Sequence, residues 1–435
     1  MTPIAERAAR LALSTFDALP QKCKPRTLPD GRREWTPMAA VVLARAGDDP
    51  ELDCVALATG TKCLSSSALP DCRGLVLHDC HAEVLALRGF NYWLLSEVEK
   101  LLESPEYESP FLESADHCSA DDQFVLLSTP RAPFRLKPTV MVYFFTTEAP
   151  CGDASMEILM SSMPPGEAAP WPVEEDATTI LQGRGHFSLL GHVRRKPARA
   201  DAEPSLSKSC TDKLALKQFT SLISFPADHL VQRTENAFIR SVIVYSDQFN
   251  YDGYARAFSR SGRLCKLEHL GQFFTVEALN PDFPRFPFSK SDAKQELRSG
   301  SKSKASNISA LFIRSSQRGH KDVLEILVNG VKQGYKQWDE RQGKASVVSR
   351  KRLWQYALEI ANTVHSPKNP SGRDDRRAMN DEEWHLSLER SLGQATYGAA
   401  KSTTSRSTYI ERKQLVTDFL GNWSKNQGDD GWSLQ

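Results

Sequence analysis

The plan of this chain is set by two stretches, His81-Ala82-Glu83 and Pro150-Cys151-Gly152-Asp153, each of which stands where a secondary-structure element begins. The first opens residues 79–102, where apolar side chains recur at helical spacing behind Asp79 as an available N-cap. The second follows a β-rich run, 139–147, and precedes another helical pattern. Strand-like and helical patterns alternate in this way along the chain, which indicates an α/β fold.

The residue types in these stretches are those of a hydrolytic metal site. An imidazole (His81) and a thiolate (Cys151) are preferred zinc ligands, and Glu83 supplies a carboxylate that can move protons without binding the metal. A histidine-x-glutamate tripeptide alone means little, but its combination with a later proline–cysteine pair is fairly specific for zinc-dependent deamination. Helix N-termini beside both ligands are expected to favour the thiolate form of Cys151.

The third protein ligand does not follow from local spacing. Small deaminases often continue to a second cysteine three residues on, yet that position is Ala154 here. Cys210 is the best alternative because small polar residues and Lys213 surround it and favour a thiolate. Cys80 is a weaker rival, since adjacent side chains on a helix diverge by about 100°. Small buried hydrophobes are expected at the remaining cysteines: Cys23, Cys54, Cys63, Cys72, Cys118 and Cys265.

Composition limits the class of protein further. The chain has 435 residues, 40% of them hydrophobic and 25% charged, as in soluble globular proteins. Its formal net charge of +1 means that an anionic partner must be met by local basic patches. Nine cysteines without framework spacing, and no signal-peptide pattern, indicate an intracellular protein of the nucleus and/or cytoplasm. No membrane span is expected, because no apolar run reaches about 18 residues.

One domain is expected to occupy residues 1–435, because no repeat and no sustained composition shift divides the chain. Three segments rich in Ser, Pro or charged residues are predicted to be flexible insertions: 103–122, 164–176 and 284–306.

Several segments together resemble the adenosine-to-inosine RNA deaminases. They match in family order: Thr59-Gly60-Thr61-Lys62-Cys63, Asp79-Cys80-His81-Ala82-Glu83, Pro150-Cys151-Gly152-Asp153-Ala154, Arg194-Arg195-Lys196-Pro197 and residues 206–213. The resemblance implies a cytidine-deaminase-like three-layer α/β/α core with a mixed sheet, and hydrolysis of adenosine to inosine in RNA. It makes His81, Cys151 and Cys210 the zinc ligands, with Glu83 as the proton shuttle.

Within this family the expected substrate is tRNA. The deaminase-like pattern begins by Trp35, which leaves no room for the separate RNA-binding modules of double-stranded RNA editors. The expected target is the adenosine 3′ of the anticodon in the alanine tRNA anticodon stem-loop, which is already largely unpaired. No obligate protein partner is inferred. Lys62 and Lys196 are equally compatible with a solvated surface. The residues assigned as substrate contacts from the resemblance are Thr61, Lys62, Arg194, Arg195 and Lys196.

A second ligand is implied near the C-terminus, where Tyr397-x-x-x-Lys401 and Tyr409-x-x-x-Lys413 place tyrosine and lysine on one helical face. Taken alone, these pairs fit an ordinary amphipathic surface. In the family such positions enclose inositol hexakisphosphate, a polyanion that allows many cations to be buried together. The residues implicated are Arg88, Lys213, Lys217, Tyr397, Lys401, Tyr409, Lys413, Trp423, Lys425 and Asp430. His78, Leu87 and Lys217 depart from the family pattern, which puts individual contacts in doubt.

Three other functions remain open on sequence: an editor of double-stranded RNA, a deaminase of free nucleosides, and a non-catalytic zinc and RNA-binding module. Length and the inositol-phosphate positions argue against a small-molecule enzyme. Glu83 argues against a non-catalytic module, because it binds no ligand and contributes little to folding.

Overall fold

The fold is described from a computed structural model at residues 2–29, 33–104, 106–115, 124–127, 132–163, 181–182, 187–196, 203–290, 304–315, 321–364 and 386–434. All of the predicted insertion 164–176, residues 116–122 of the first insertion and residues 291–303 of the third lie outside this part of the chain. The division into one domain with three flexible insertions stays a prediction.

The chain alternates helices and strands, as expected from its periodicities. The principal helices are α1 (Ile4–Asp17), α2 (Ala82–Glu103), α3 (Met156–Ser161), α4 (Cys210–Thr220), α5 (Tyr251–Phe258), α6 (Arg350–Val364), α7 (Tyr397–Lys401) and α8 (Ser407–Leu420). The strands are β1 (Met38–Arg45), β2 (Glu51–Thr59), β3 (Thr61–Cys63), β4 (Asp79–His81), β5 (Leu112–Ser114), β6 (Phe134–Leu136), β7 (Val140–Thr146), β8 (Leu181–Gln182), β9 (Arg194–Arg195), β10 (Ile239–Val244), β11 (Thr275–Ala278), β12 (Ile308–Ile313), β13 (Val323–Val328) and β14 (Val331–Lys332).

A mixed sheet forms the centre of the molecule, with strand order β11-β10-β7-β1-β2-β12-β13-β14. β1 and β2 form an antiparallel hairpin, with Met38 opposite Thr59. β7 runs antiparallel to β1, whereas β10 is parallel to β7 and β11 is parallel to β10. Parallel pairs need long crossovers, and the segments between β7 and β10 and between β10 and β11 carry α3, α4 and α5.

Helices cover both faces of this sheet, because β1 is apolar on both sides. Val41 and Leu43 belong to the hydrophobic core on the α2 face, together with Phe90 and Trp93. The alternate β1 residues Ala40 and Val42 belong to the core on the α1 face, as expected for the two-residue period of a strand. Gly89 lets α2 approach the sheet closely, since a Cβ there would lie 3.1 Å from the Cβ of Ala56.

The C-terminal helices pack against the α2 side of the molecule. Leu353, Trp354 and Ala357 of α6 are buried in the same hydrophobic core as α2. The chain then ends in a tail whose Trp432 stacks on Tyr397 of α7, with 4.7 Å between the ring centroids. None of the helices that the structure describes is long and apolar enough to cross a membrane.

Candidate metal centre and adjoining basic cluster

Three predicted ligands meet at one point although they lie far apart in sequence. The Nδ1 atom of His81 is 3.8 Å from Sγ of Cys151 and 3.7 Å from Sγ of Cys210. All three ligand atoms lie within 4.8 Å of one another. Tetrahedral zinc with ordinary Zn–S and Zn–N bonds separates a sulfur and a nitrogen ligand by about 3.6 Å. The spacing of the three residues therefore fits a zinc ion.

Each ligand is held where a strand or loop ends and a helix begins. His81 closes β4 and is the N-cap of α2, with extended backbone angles. Cys210 begins α4, and its backbone N–H donates to Sγ of Cys151 at 3.4 Å. A hydrogen bond from the Cys210 thiol, together with Lys196 and His81, lowers the pKa of Cys151 well below its usual value, whereas burial raises the pKa of Cys210.

Glu83 lies beside the ligands but is not one of them. Its side chain is only 4% exposed, and Oε2 is buried with no hydrogen-bond partner among the described residues. Burial, followed by the nearby Cys151, raises the pKa of this carboxyl group. A buried carboxyl oxygen without a hydrogen-bond partner lowers the stability of the folded protein. Such an oxygen is therefore typical of a group that hydrogen-bonds to a ligand.

The rim residues Thr61 and Lys62 lie on β3, which pairs with the strand that carries His81. Thr61 is directly opposite His81, and its hydroxyl oxygen is buried without a hydrogen-bond partner in the described structure. Lys62, opposite Cys80, is partly exposed. The rim thus presents one unsatisfied hydroxyl beside the metal ligands.

The three cations of residues 194–196 occupy different environments. Arg194 is fully buried, and its guanidinium donates to the carbonyl oxygen of Leu189 at 2.5 Å. Lys196 is 3% exposed, so neither side chain is available at the surface for RNA phosphate in this conformation. Only Arg195 is partly exposed, and its Nε donates to the hydroxyl of Ser424 at 3.0 Å.

Lys196 instead joins the metal ligands to a buried carboxylate. Its Nζ lies 3.2 Å from Sγ of Cys210 and donates to both oxygens of Asp79, at 2.8 and 3.0 Å. Asp79 also accepts from Lys213. Burial alone would raise the pKa of Asp79, but the two lysines outweigh it and hold this pKa far below its usual value. Asp79 therefore lies in β4 between two ammonium groups and is not the N-cap of α2 expected from the sequence.

A cluster of cations adjoins this network and includes four of the ten residues assigned by the resemblance. We define the basic cluster as Arg88, Lys217, Arg233, Arg350, Lys401, Arg406 and Lys413. Burial and the neighbouring Lys413 and Arg350 lower the pKa of Lys401 well below its usual value. Burial lowers the pKa of Lys217 to about 8. Burial would raise the pKa of Tyr409, yet Lys413 and Lys217 lower it to about 8.

Several members of this region escaped the sequence analysis. Arg233 and Arg406 both bind the buried Asp228, at 2.6 and 2.8 Å. Arg350 binds Asp429, which also accepts from His78 at 2.7 Å and from the backbone N–H of Gly74. Their only signal in sequence is isolated charge, which does not separate a buried ion pair from a surface one.

The C-terminal tail holds the remaining assigned residues. Asp430, which the sequence analysis chose, is exposed, whereas its neighbour Asp429 is buried among the cations. Trp423 is partly exposed, with Nζ of Lys208 5.7 Å from its ring centroid, and Lys425 is exposed. Asp429 is therefore the tail aspartate that contacts the basic cluster, through Arg350, and the assignment of Asp430 stays a prediction.

Comparison with known proteins agrees with this geometry. The adenosine-deaminase (editase) domain family matches residues 56–427. The matched range contains all three ligands, Glu83 and the whole basic cluster. The chain therefore belongs to the adenosine-deaminase (editase) family and is a deaminase.

Among individual relatives, the chain is similar to tRNA-specific adenosine deaminase 1 of Schizosaccharomyces pombe, with 30% identity over 430 residues covering 97% of this chain and 95% of the relative. It is 33% identical to tRNA-specific adenosine deaminase 1 of Saccharomyces cerevisiae over 229 residues, which cover 51% of this chain and about half, 54%, of that relative. Mouse double-stranded RNA-specific editase B2 is 25% identical over 257 residues, covering 29% of that relative.

Proposed function

We propose that this protein hydrolyses adenosine to inosine in tRNA, at the adenosine 3′ of the anticodon of alanine tRNA. The observation that carries the proposal is the buried Glu83, without a hydrogen-bond partner among described residues, beside three ligands at zinc spacing. Support for tRNA comes from the fission yeast relative, whose similarity extends over 97% of the chain.

The donor set of the site suits zinc, because two thiolates and an imidazole are the ligands this ion prefers and three protein ligands leave a position for water. His81, Cys151 and Cys210 would hold the ion. When bound, zinc would supply Lewis-acid activation of water at neutral pH. Lys196 would offset part of the negative charge of the two thiolates, since it lies 3.2 Å from Cys210.

Glu83 is the proposed proton carrier. Its raised pKa suits Oε2 to take a proton from the attacking water and give it to the ring nitrogen beside C6. Glu83 would then transfer a second proton, from the hydroxyl group added at C6, to the amino group that departs as ammonia. Thr61 would orient the nucleotide through its buried hydroxyl, with Lys62 and Arg195 as contacts for backbone phosphates. An unpaired anticodon-loop base suits such a site because little energy is needed to flip it out of a stack.

We also propose inositol hexakisphosphate as a structural ligand of the basic cluster. The argument for a polyanion rests on charge, since the cluster has seven cations. Burial and neighbouring cations lower the pKa of one of them, Lys401, well below its usual value. Among the described residues, Asp228 forms ion pairs with Arg233 and Arg406, and Asp429 forms one with Arg350. A polyanion there would relieve repulsion in a low-dielectric interior. The protein is expected to act inside the cell, in the nucleus and/or cytoplasm.

Deamination of total tRNA, followed by sequencing for inosine, tests the function. Inosine is expected 3′ of the alanine anticodon with wild-type protein and not with Glu83→Gln. A matched alanine tRNA with guanosine at that position is the substrate control. Inosine in duplex RNA alone would favour an editor of double-stranded RNA, and RNA binding without inosine would favour a non-catalytic module.

A further inference from the structure

Two buried aspartates follow the two cysteine ligands at the same spacing. Asp153 stands two residues after Cys151, and Asp212 stands two residues after Cys210. Both side chains are fully buried, and neither belongs to the ligand cluster. A buried carboxylate is unfavourable unless it is paired and hydrogen-bonded. The partners of the two aspartates therefore indicate what they are for.

Both aspartates bind the backbone of one segment, residues 187–196. The N–H of Gly191 donates to Oδ1 of Asp153 at 2.6 Å, and the N–H of Arg194 donates to Oδ2 of Asp212 at 2.9 Å. Gly191 has a φ of +83°, a conformation that side-chain-bearing residues rarely adopt. The same segment ends in Lys196, which contacts Cys210. The aspartates thus fasten the Lys196 segment to both cysteine loops.

Each aspartate also receives one arginine from residues 251–263. Nε of Arg256 donates to Oδ2 of Asp153 at 3.0 Å, and the same guanidinium reaches the Asp153 carbonyl oxygen and Glu157. Nη1 of Arg263 donates to Oδ1 of Asp212 at 2.7 Å. Arg256 and Arg263 therefore bind the two aspartates, and the aspartates in turn bind the backbone of residues 187–196.

We propose that Arg256 and Arg263 are positioning residues of the deaminase. They hold the side chains of Asp153 and Asp212 in place by hydrogen bonds, and through these aspartates they fix residues 187–196 so that Lys196 remains against Cys210. We call these four residues the arginine clamp. The clamp rests on the hydrogen bonds above, whereas the consequence for turnover rests on the proposed function.

Hydrogen exchange of the peptide 187–196 tests the clamp without reference to activity. Arg256→Met and Arg263→Met are each expected to raise exchange in this peptide about tenfold or more, because its anchoring hydrogen bonds loosen. Peptides of α1 should keep wild-type exchange, and zinc should stay at one per chain. Arg260→Met is the matched control, since Arg260 lies on the same stretch but is exposed. Unchanged exchange of 187–196 in both folded methionine variants would overturn the clamp.

If a methionine variant does not fold, Arg256→Lys and Arg263→Lys replace it. Lysine keeps the charge but loses the planar fork, so exchange of 187–196 is expected to rise about threefold or more. Wild-type exchange in both lysine variants would contradict the proposal in the same way.

Kinetics on alanine tRNA then show whether the clamp acts through Lys196. Arg263→Met should lower kcat about tenfold with KM within about threefold, since substrate contacts are untouched. In a Lys196→Met background the same change should cost less than about twofold, because coupled sites are not additive. If the fall in kcat of the double variant equals the product of the two single falls, the arginines do not act through Lys196. Inactive wild-type protein with the expected exchange pattern would refute the proposed function and leave the clamp standing.

Discussion

The metal centre and the basic cluster lie side by side but balance their charges differently. At the metal centre the protein supplies both signs: Asp79 lies between Lys196 and Lys213, and the ligand thiols face a lysine. In the basic cluster cations outnumber the carboxylates that bind them, and the pKa of Lys401 is strongly depressed. The comparison teaches that charges at the candidate metal centre are balanced within the protein, whereas in the basic cluster burial and neighbouring cations disfavour the charged form of Lys401.

The largest expected effect is at the metal centre. Glu83→Gln keeps the size of the side chain but removes the proton carrier, so turnover should fall by about 10³-fold or more. Zinc content and the free energy of unfolding should change little, because Glu83 is not in the ligand cluster. Single-turnover deamination assays with metal analysis measure both. Comparable turnover in this variant would show that Glu83 does not carry the proton.

The change in stability caused by removing one cation should reverse its sign when the polyanion is bound. Without inositol hexakisphosphate, Lys401→Met should stabilise the protein by about 1–2 kcal/mol, because it removes a buried charge repelled by its neighbours. With the polyanion present the same change should destabilise it, because an attraction is lost. Chemical unfolding with and without added polyanion checks this, with exposed Lys266→Met as control. The same sign in both conditions would contradict polyanion binding at this cluster.

Stability of the polyanion-free protein should rise with pH between about 8 and 10. Lys217 and Tyr409 both have a pKa of about 8 in the folded protein. Their unfolded values lie near 10, so in this window the unfolded chain binds more protons and unfolding is disfavoured as pH rises. Arg233, Lys413 and Asp228 are further charged groups close to Lys217, and Arg233 and Lys413 are also close to Tyr409.

The expected gain in the free energy of unfolding is on the order of 2 kcal/mol. Urea titrations at several pH values measure it. Lys217→Met should remove part of the slope, and bound polyanion should flatten it, because anionic groups favour the protonated lysine. A slope unaffected by both changes would separate the pH dependence from this cluster.

The smallest effect is expected for Arg195, a proposed contact for backbone phosphate. Arg195→Met should weaken tRNA binding severalfold and lower the salt dependence of binding by about one unit in the slope of log K against log salt. Filter binding over a range of salt concentrations measures this. An unchanged slope would mean that Arg195 does not contact phosphate.

Prediction from sequence succeeded where residues act through local patterns. Cys151 follows the strand β7, as the apolar pattern predicts, whereas the helix expected from residue 79 begins only at Ala82, so that His81 ends β4. The role of both residues as metal ligands stays a prediction. Cys210 was chosen over other cysteines by context, and packing brings it within 3.7 Å of His81. The fold class follows for the same reason, since apolar periodicity is a property of neighbouring residues.

Prediction failed where the outcome depends on partners distant in sequence. Asp79 has the sequence of an N-cap, but Lys196 and Lys213 compete for its carboxylate and hold it in β4. Arg194 and Lys196 have the composition of a surface loop, yet they are buried because their partners are protein atoms and metal ligands. Asp429 and Asp430 are adjacent and chemically identical, and only the first turns inward.

The amino-acid order alone therefore specifies the α/β plan and singles out His81, Glu83 and Cys151 as candidate site residues, because each of these predictions rests on neighbours within a few residues. Folding in three dimensions selects Cys210, buries Lys196 against it and gathers the basic cluster from helices hundreds of residues apart. The physical reason is electrostatic: whether a charge is paired, buried or exposed depends on distances through space, which spacing along the chain does not encode.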